Sequence, residues 1–490
     1  MNPLFLTDGY KTGHHQQYPK GTTLVYSNFT PRSNKYAPAG CEQVVSFGQQ
    51  MVMKQIHEAF EKDFFSRPKE EVCGEMKREL SMYLGTDYDV SHFEELHDLG
   101  YLPINVKVIE EGTLVPIKVP ILTIYNTHPR FFWVTNYLET VLSNLLWKPV
   151  TSATIARAYR KLFTEWQLKT DAEKDWFVDW QAHDFSMRGL DSVEATISSG
   201  LGHATSFMGS DSLPVIYGAR KYYNAQGAVV GSVNATEHSV MCAGSKDDEI
   251  GTFRRLLETY PTGILSVVSD TWDLWKVCTE HVVTLKEEIL ARDGKLVIRP
   301  DSGDPVDIIC GTPSTYIGYK APGYENSPEH KGVIELLWDV FGGTINEQGY
   351  KVLDSHIGAI YGDSITIDRA KEIFERLEAK GFASTNIVLG VGSFTYQFNT
   401  RDTFGFAMKA TYVEVDGEGR EIFKDPITDD GTKKSATGLL EVVKEDGVYQ
   451  LNDRCSWDME AFGYLETIYK DGEFYNETTL EKIRENLKNI

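Results

Sequence analysis

Residues 295–305 read KLVIRPDSGDP, and the character of the chain changes in the middle of them. Leu296-Val297-Ile298 is a short apolar run with the composition of a buried strand. Pro300 and Pro305 cannot continue a β-ladder, and Gly303 permits a tight turn, so the strand is expected to end here. A guanidinium (Arg299), two carboxylates (Asp301, Asp304) and a hydroxyl (Ser302) are thereby crowded at the mouth of one strand. Such a set suits a phosphorylated sugar: Arg for an anion, Asp for ribose hydroxyls, carboxylates for a hydrated Mg²⁺. The same residues would also make a capped turn with an Arg–Asp pair on the surface.

The pattern recurs along the chain. His183-Asp184-Phe185, residues 264–270 (ILSVVSD), 356–363 (HIGAIYGD) and 387–392 (IVLGVG) are β-prone runs that end in an acid or a glycine, often with a helical stretch behind. This alternation predicts βα units and a mainly parallel sheet. Functional groups placed repeatedly at strand ends favour a β/α barrel over an open doubly wound sheet. No G-x-G-x-x-G follows an early strand, and Gly390-Val391-Gly392 is only a fragment of one. Around this core lie a strand-like run at 23–29 leading to Pro31-Arg32, a helical stripe at 51–65 and a small β-structure over 104–127. Two helices are expected over 132–146 and 151–168, β-structure over 406–415, a basic loop from 424 to 435 and a short amphipathic helix at 481–490. Residues 151–390 are read as the barrel domain, and 1–150 together with 391–490 as a mixed β-rich accessory domain.

Composition narrows the function. A chain of 490 residues has room for roughly two to three domains. A net charge of −22 argues against a general nucleic-acid surface, yet a local Arg/Lys cluster can still bind a phosphorylated substrate. No uninterrupted apolar stretch reaches the ~18 residues of a membrane span. The N-terminus lacks a signal peptide's basic start and long apolar core. The six scattered cysteines form no C-x-x-C pair and read as reduced thiols, so a cytoplasmic location is expected.

Taken in order, Thr7-Asp8-x-Tyr10-Lys11, His183-Asp184-Phe185 with Arg188-Gly189, Gly209-Ser210-Asp211, Glu237-His238-Ser239, Ser266-Val267-Val268-Ser269-Asp270, Arg299-Pro300-Asp301-Ser302-Gly303, Gly362-Asp363 and Phe423-Lys424-Asp425-Pro426 resemble the nicotinamide phosphoribosyltransferase family. Each string is short, but the ordered set runs from residue 7 to about 435. The resemblance implies an α/β fold: an irregular β/α barrel of the type II phosphoribosyltransferase kind with an accompanying mixed α+β domain. It implies a homodimer with both active sites at the subunit interface. The reaction joins nicotinamide to C1 of phosphoribosyl pyrophosphate (PRPP), giving nicotinamide mononucleotide and pyrophosphate.

The residue roles follow from the same resemblance. Phe185 and the partner subunit's Tyr10 would stack on the pyridine, a geometry that suits a planar ring. Asp211 would accept a hydrogen bond from the carboxamide and repel the carboxylate of nicotinate. Asp8 and Arg188 fall on the nicotinamide side of the site. Arg299 would bind the amide oxygen and a phosphate; Asp301 and Gly362-Asp363 would hold the ribose. Gly392, Ser393, Arg401, Lys409, Lys424 and Arg32 would meet the phosphates. Mg²⁺ would be carried mainly by the diphosphate. His238 would be phosphorylated by ATP, with Asp270 as orienting carboxylate and Glu237 beside it. Ser393 stands where a glycine is expected, Ala407 where a serine is, and Met187 where a tyrosine is, so the 5-phosphate contacts are the least determined. Nicotinate phosphoribosyltransferase, a non-catalytic binding protein on this scaffold, and a sugar-cleaving hydrolase are the alternatives.

Overall fold

A computed structural model of the protein describes residues 1–313, 324–362, 364–423 and 436–489. Asp363, Lys424 and the expected basic loop at 424–435 lie outside the described residues. The chain divides into two compact units: Ile155–Tyr217 with Gly227–Phe398, and Met1–Thr154 with Gly218–Gln226 and Asn399–Ile490.

The first of these units is built on seven strands, ordered in space Gly209–Ser210, Ala182–Asp184, Ile387–Val391, Ile357–Tyr361, Asp293–Arg299, Thr262–Val268 and Asn234–Ala235. Every neighbouring pair is parallel. The sheet curls back on itself, because Gly231, just ahead of the Asn234–Ala235 strand, bridges in parallel to Gly209 at the opposite edge. Gly231 accepts from the Ser210 amide at 3.0 Å and donates to the Met208 carbonyl at 2.7 Å. Parallel strands need crossovers, and amphipathic helices supply them. The helix Ile367–Ala379 buries Ala370, Ile373, Phe374 and Leu377, one stripe at i, i+3, i+4 and i+7. Its Thr366 cap accepts from the Arg369 amide at 3.2 Å, satisfying one of the orphan donors of the first turn.

The turn after Asp293–Arg299 uses its residues unequally. Asp304 caps the helix Pro305–Cys310, accepting from the amides of Val306 and Asp307 at 2.9 and 3.2 Å, and Pro305 takes the first helical position. Of the two carboxylates expected at this strand mouth, Asp304 is therefore committed to the backbone, and Asp301 remains for chemistry.

The other unit carries a seven-stranded antiparallel sheet, ordered Glu418–Glu421, Ala407–Val415, Thr22–Thr30, Leu122–Asn126, Ile104–Val108, Glu466–Lys470 and Glu473–Phe474. Buried Val25, Tyr26, Phe29, Val106 and Ile124 supply part of its core, and Phe29 stacks on Phe406 with ring centroids 5.0 Å apart. The two helices expected over 132–146 and 151–168 are a single helix, Phe132–Thr170, with Pro149 inside it. A proline there removes one helical hydrogen bond and crowds the preceding turn. The ring is seated on Gly48, whose φ is +98° and where a Cβ would lie 2.7 Å from Pro149 Cγ. Among the described residues no helix is long and apolar enough to cross a membrane.

Candidate active site

Inside the parallel barrel is a cavity of about 490 Å³. Strand alternation decides which side chains reach it. On Asp293–Arg299, Leu296 and Ile298 are fully buried and point away from it, whereas Lys295, Val297 and Arg299 line it. His183, Phe185, Asp211, Ser232 and Ser266 join the lining.

Asp211 follows the short Gly209–Ser210 strand, and its amide donates to the Asp184 carbonyl at 3.0 Å. Its Oδ1 lies 2.9 Å from His183 Nε2 and accepts from the Ser232 hydroxyl. Oδ2 is left without a hydrogen bond among the described residues and is available to a ligand. Burial pushes the Asp211 carboxyl up, but the hydrogen bonds from His183 and Ser232, with the charge of Arg299, outweigh it and hold the group below the ordinary carboxylate value. Phe185 packs against His183 with ring centroids 4.6 Å apart. Among the described residues the Nε of Arg299 and the hydroxyl of Ser266 are buried with no hydrogen-bond partner, so the wall carries unspent donors. One end of the cavity thus combines a flat apolar ring, a fixed anion and a cation. It fits a small uncharged aromatic amide.

A second group lies at the ends of neighbouring strands. His238 opens the helix His238–Ala243; Asp270 and Asp301 follow the strands Thr262–Val268 and Asp293–Arg299. His238 Nδ1 is 3.0 Å from the Thr271 hydroxyl, and Nε2 faces Asp270 Oδ1 at 3.9 Å and Asp301 Oδ2 at 4.0 Å. The imidazole is 47% exposed while the Asp270 side chain is only 5% exposed, so the ring is accessible and the acid beneath it is not. Asp270 Oδ2 accepts from the Asp301 amide at 3.0 Å and the Ser302 hydroxyl at 2.5 Å; Oδ1 is buried and, among the described residues, has no hydrogen-bond partner. The side chain that hydrogen-bonds the imidazole is thus Thr271, and the carboxylate of Glu237 accepts from Ser239. Among the described residues no three His, Cys, Asp or Glu gather to hold a metal alone. The orphan Asp270 oxygen and the part-exposed Asp301 are the donors that suit a cation arriving with its own ligands.

Glycines set the spacing. A Cβ on Gly362 would lie 2.6 Å from Asp301 Oδ1, and one on Gly390 would lie 2.9 Å from Phe185 Cδ2. On Gly189 it would strike the Ser393 side chain, so Ser393 fits because its neighbour lacks a side chain. Gly392 precedes the short helix Ser393–Gln397, and Arg188 is exposed in the turn Met187–Gly189.

Asp8, Tyr10, Arg32, Arg401 and Lys409 belong to the antiparallel unit. Asp8, Tyr10 and Arg401 line a hollow of about 400 Å³ there. Tyr10 is 66% exposed, free to serve as a platform, and Asp8 accepts from Thr140 at 2.8 Å. Next to Tyr10, Lys11 is buried and paired with Glu139 at 2.6 Å. Arg32 Nε donates to the Gly405 carbonyl at 2.9 Å, and Lys409 pairs in register with Asn28.

Three residues of the barrel cavity carry no role in the sequence reading: His183 as the clamp on Asp211, Ser232 as its second donor, and Lys295. A period-two reading of residues 295–299 puts Lys295 on the face of Arg299. Nothing in the run AVVGSVNA at 228–235 announces that Ser232 reaches Asp211.

Comparison with known proteins gives the family of the chain. The model of the nicotinate phosphoribosyltransferase family matches residues 180–479, and that of the nicotinamide phosphoribosyltransferase N-terminal domain matches residues 2–106. A nicotinamide phosphoribosyltransferase of Acinetobacter baylyi is 49% identical, the match covering 99% of this chain and 97% of that one. Another, from Xanthomonas campestris pv. campestris, is 32% identical over 99% of this chain and 97% of the relative. Among solved structures, human nicotinic acid phosphoribosyltransferase superposes with a TM-score of 0.57 at 16% identity, covering 99% of this chain and 93% of that one. Pyrococcus furiosus nicotinate-nucleotide pyrophosphorylase gives 0.57 at 16% identity over 100% and 95%. At that identity the two structures speak for the fold alone.

Proposed function

The chain belongs to the nicotinamide phosphoribosyltransferase family, and from that premise we propose that it transfers the phosphoribosyl group of PRPP to nicotinamide, releasing pyrophosphate and serving NAD salvage. The observation that carries the choice of substrate is the anchored Asp211 carboxylate, with one oxygen held by His183 and Ser232 and the other open. Because its pKa is lowered, it is ionised at neutral pH and can only accept. It takes the NH₂ of a carboxamide and meets the carboxylate of nicotinate as a like charge. Phe185 holds the ring flat so that its nitrogen faces C1 of the ribose.

Cleavage of the ribosyl–pyrophosphate bond builds positive charge on the sugar and negative charge on the leaving group. Asp301 stabilises the first and Arg299 the second, with Gly362 keeping the space beside Asp301 open. Mg²⁺, carried mainly by the diphosphate, would neutralise the leaving charge, with Asp301 and Asp270 as the nearby protein oxygens. His238 acts as the phosphate acceptor from ATP. With Nδ1 donating to Thr271, Nε2 keeps its lone pair and takes the γ-phosphoryl group as ADP leaves. Water later takes the phosphoryl group off as inorganic phosphate, returning the lone pair to Nε2, and Asp270 and Asp301 lie beside that nitrogen to hold the positive charge of the imidazole. Gly392, Ser393, Arg32, Arg401, Lys409, Asp363 and Lys424 complete the phosphate and ribose contacts in a homodimer. In that dimer the partner subunit's Tyr10 closes the site, with Asp8 and Arg188 on its nicotinamide side.

The test is the purified protein with PRPP and Mg²⁺, given nicotinamide or nicotinate, each with and without ATP. Nicotinamide mononucleotide is expected, at a higher rate with ATP. Preferential turnover of nicotinate would move the protein to the other branch of the family, and no turnover of either would leave a binding protein.

A further inference from the structure

The cavity does not stop at Asp211 and Arg299. Lys295 lies four residues back along the same strand and on the same face, a span of roughly 13 Å at the usual rise. Lys174, Trp176, Trp180 and Asn386 line the cavity with it. Among the described residues, the half-buried Lys295 side chain makes no hydrogen bond and no ion pair. Its aliphatic stem packs over Gly358, where a Cβ would lie 3.2 Å from Lys295 Cδ and 3.8 Å from Nζ.

The neighbouring charges do not satisfy it. Asp354 attracts it, but that carboxylate already accepts from the His356 amide at 2.9 Å and holds its ring nitrogen at 2.7 Å. Lys174 adds a second positive charge, and its own partner, Asp171 at 3.3 Å, also accepts from Thr385. Burial, and then Lys174, hold the Lys295 ammonium below its ordinary value. An unpaired ammonium in a confined, largely apolar space is costly unless an anion joins it.

We propose that this end of the barrel cavity is an anion-accepting subsite, with Lys295 as the charge partner and Trp176 and Trp180 as the apolar wall, and that it takes the carboxylate of a small planar aromatic acid. One unpaired ammonium matches a monoanion. Lys174 at the same end is held by Asp171 at 3.3 Å, so the charge left to a ligand is chiefly that of Lys295. The two ends of the cavity thus have opposite tastes: the Asp211 end rejects a carboxylate, and the Lys295 end binds one.

The experiment titrates benzoate and benzamide into the full-length protein by calorimetry, at neutral pH and without PRPP. Saturable benzoate binding is expected, weakened about tenfold or more in Lys295→Met, as loss of a charge-assisted hydrogen bond requires. Lys295→Arg retains it within about threefold, and the uncharged benzamide binds wild type and Lys295→Met alike. Should Lys295→Met fail to fold, Lys174→Met is titrated instead, with benzoate expected to weaken measurably and benzamide not. Absence of saturable benzoate binding, or equal benzoate affinity in wild type and the lysine variant, overturns the proposal.

Discussion

Replacing Asp211 by asparagine changes one charge and almost no volume. The new carboxamide keeps an oxygen in place of Oδ1, so the 2.9 Å contact to His183 and the Ser232 hydrogen bond survive. What disappears is the negative charge facing position 3 of a bound pyridine. Two carboxylates about 4 Å apart repel by about 4 kcal/mol at an effective dielectric near 20. Arg299, which also acts on Asp211, offsets part of this. A net discrimination of about 3–4 kcal/mol, or roughly two to three orders of magnitude in kcat/KM, is therefore attributed to this carboxylate. Nicotinamide should lose only about tenfold, because a charged acceptor is exchanged for a neutral one. The assay is kcat/KM for each pyridine at saturating PRPP and Mg²⁺. The ratio of nicotinate to nicotinamide should rise at least about a hundredfold in Asp211→Asn, since removal of the like charge is worth that much. A ratio within about threefold of wild type would refute the electrostatic account of selectivity, because such a change is under about 0.7 kcal/mol.

Other consequences test other parts of the structure. His238→Ala is expected to abolish the stimulation by ATP while leaving basal turnover, measured as rate with and without ATP; full stimulation in the variant removes the phosphohistidine role. Gly390→Ala puts a methyl group 2.8 Å from the Tyr361 carbonyl and 2.9 Å from Phe185 Cδ2, and should lower the melting temperature and, in the protein that folds, raise KM for nicotinamide more than it lowers kcat. His92 is buried in the antiparallel unit, stacked on His15 at 3.8 Å, and among the described residues neither ring nitrogen has a hydrogen-bond partner. Burial first, and then the charge of His15, push its pKa down to about 3. The unfolded chain takes up that proton near pH 6.5, so stability is present above 6.5 and lost as pH falls toward 3, by at most about 1.4 kcal/mol per pH unit. His92→Phe should flatten this acid limb in denaturant titrations at several pH values; an unchanged limb would place the acid sensitivity elsewhere.

The reading of residues 295–305 reached the strand, its end and the chemistry of Arg299 and Asp301, since all three depend on local residue types. It could not tell that Asp304 serves the next helix. Capping and catalysis ask for the same carboxylate, and only the path of the backbone distinguishes them. The proline at 149 reads locally as a break, yet the helix continues because Gly48, far back in the chain, leaves room for the ring. His183 and Asp211 come together for a similar reason: their strands are neighbours in the sheet, with His183 opposite Gly209.

From the order of residue types alone followed the α/β class, the succession of strands ending in functional groups, and the family whose motifs they match. These are properties of short stretches, where period, turn chemistry and composition act within a few residues. Which side chains face the interior was decided by the closure of the seven-stranded sheet. Closure turns one face of every strand inward and brings residues far apart in the chain within hydrogen-bonding distance. For that reason Lys295 and Arg299 share a cavity, Asp211 finds His183 and Ser232, and Asp270 lies beneath His238.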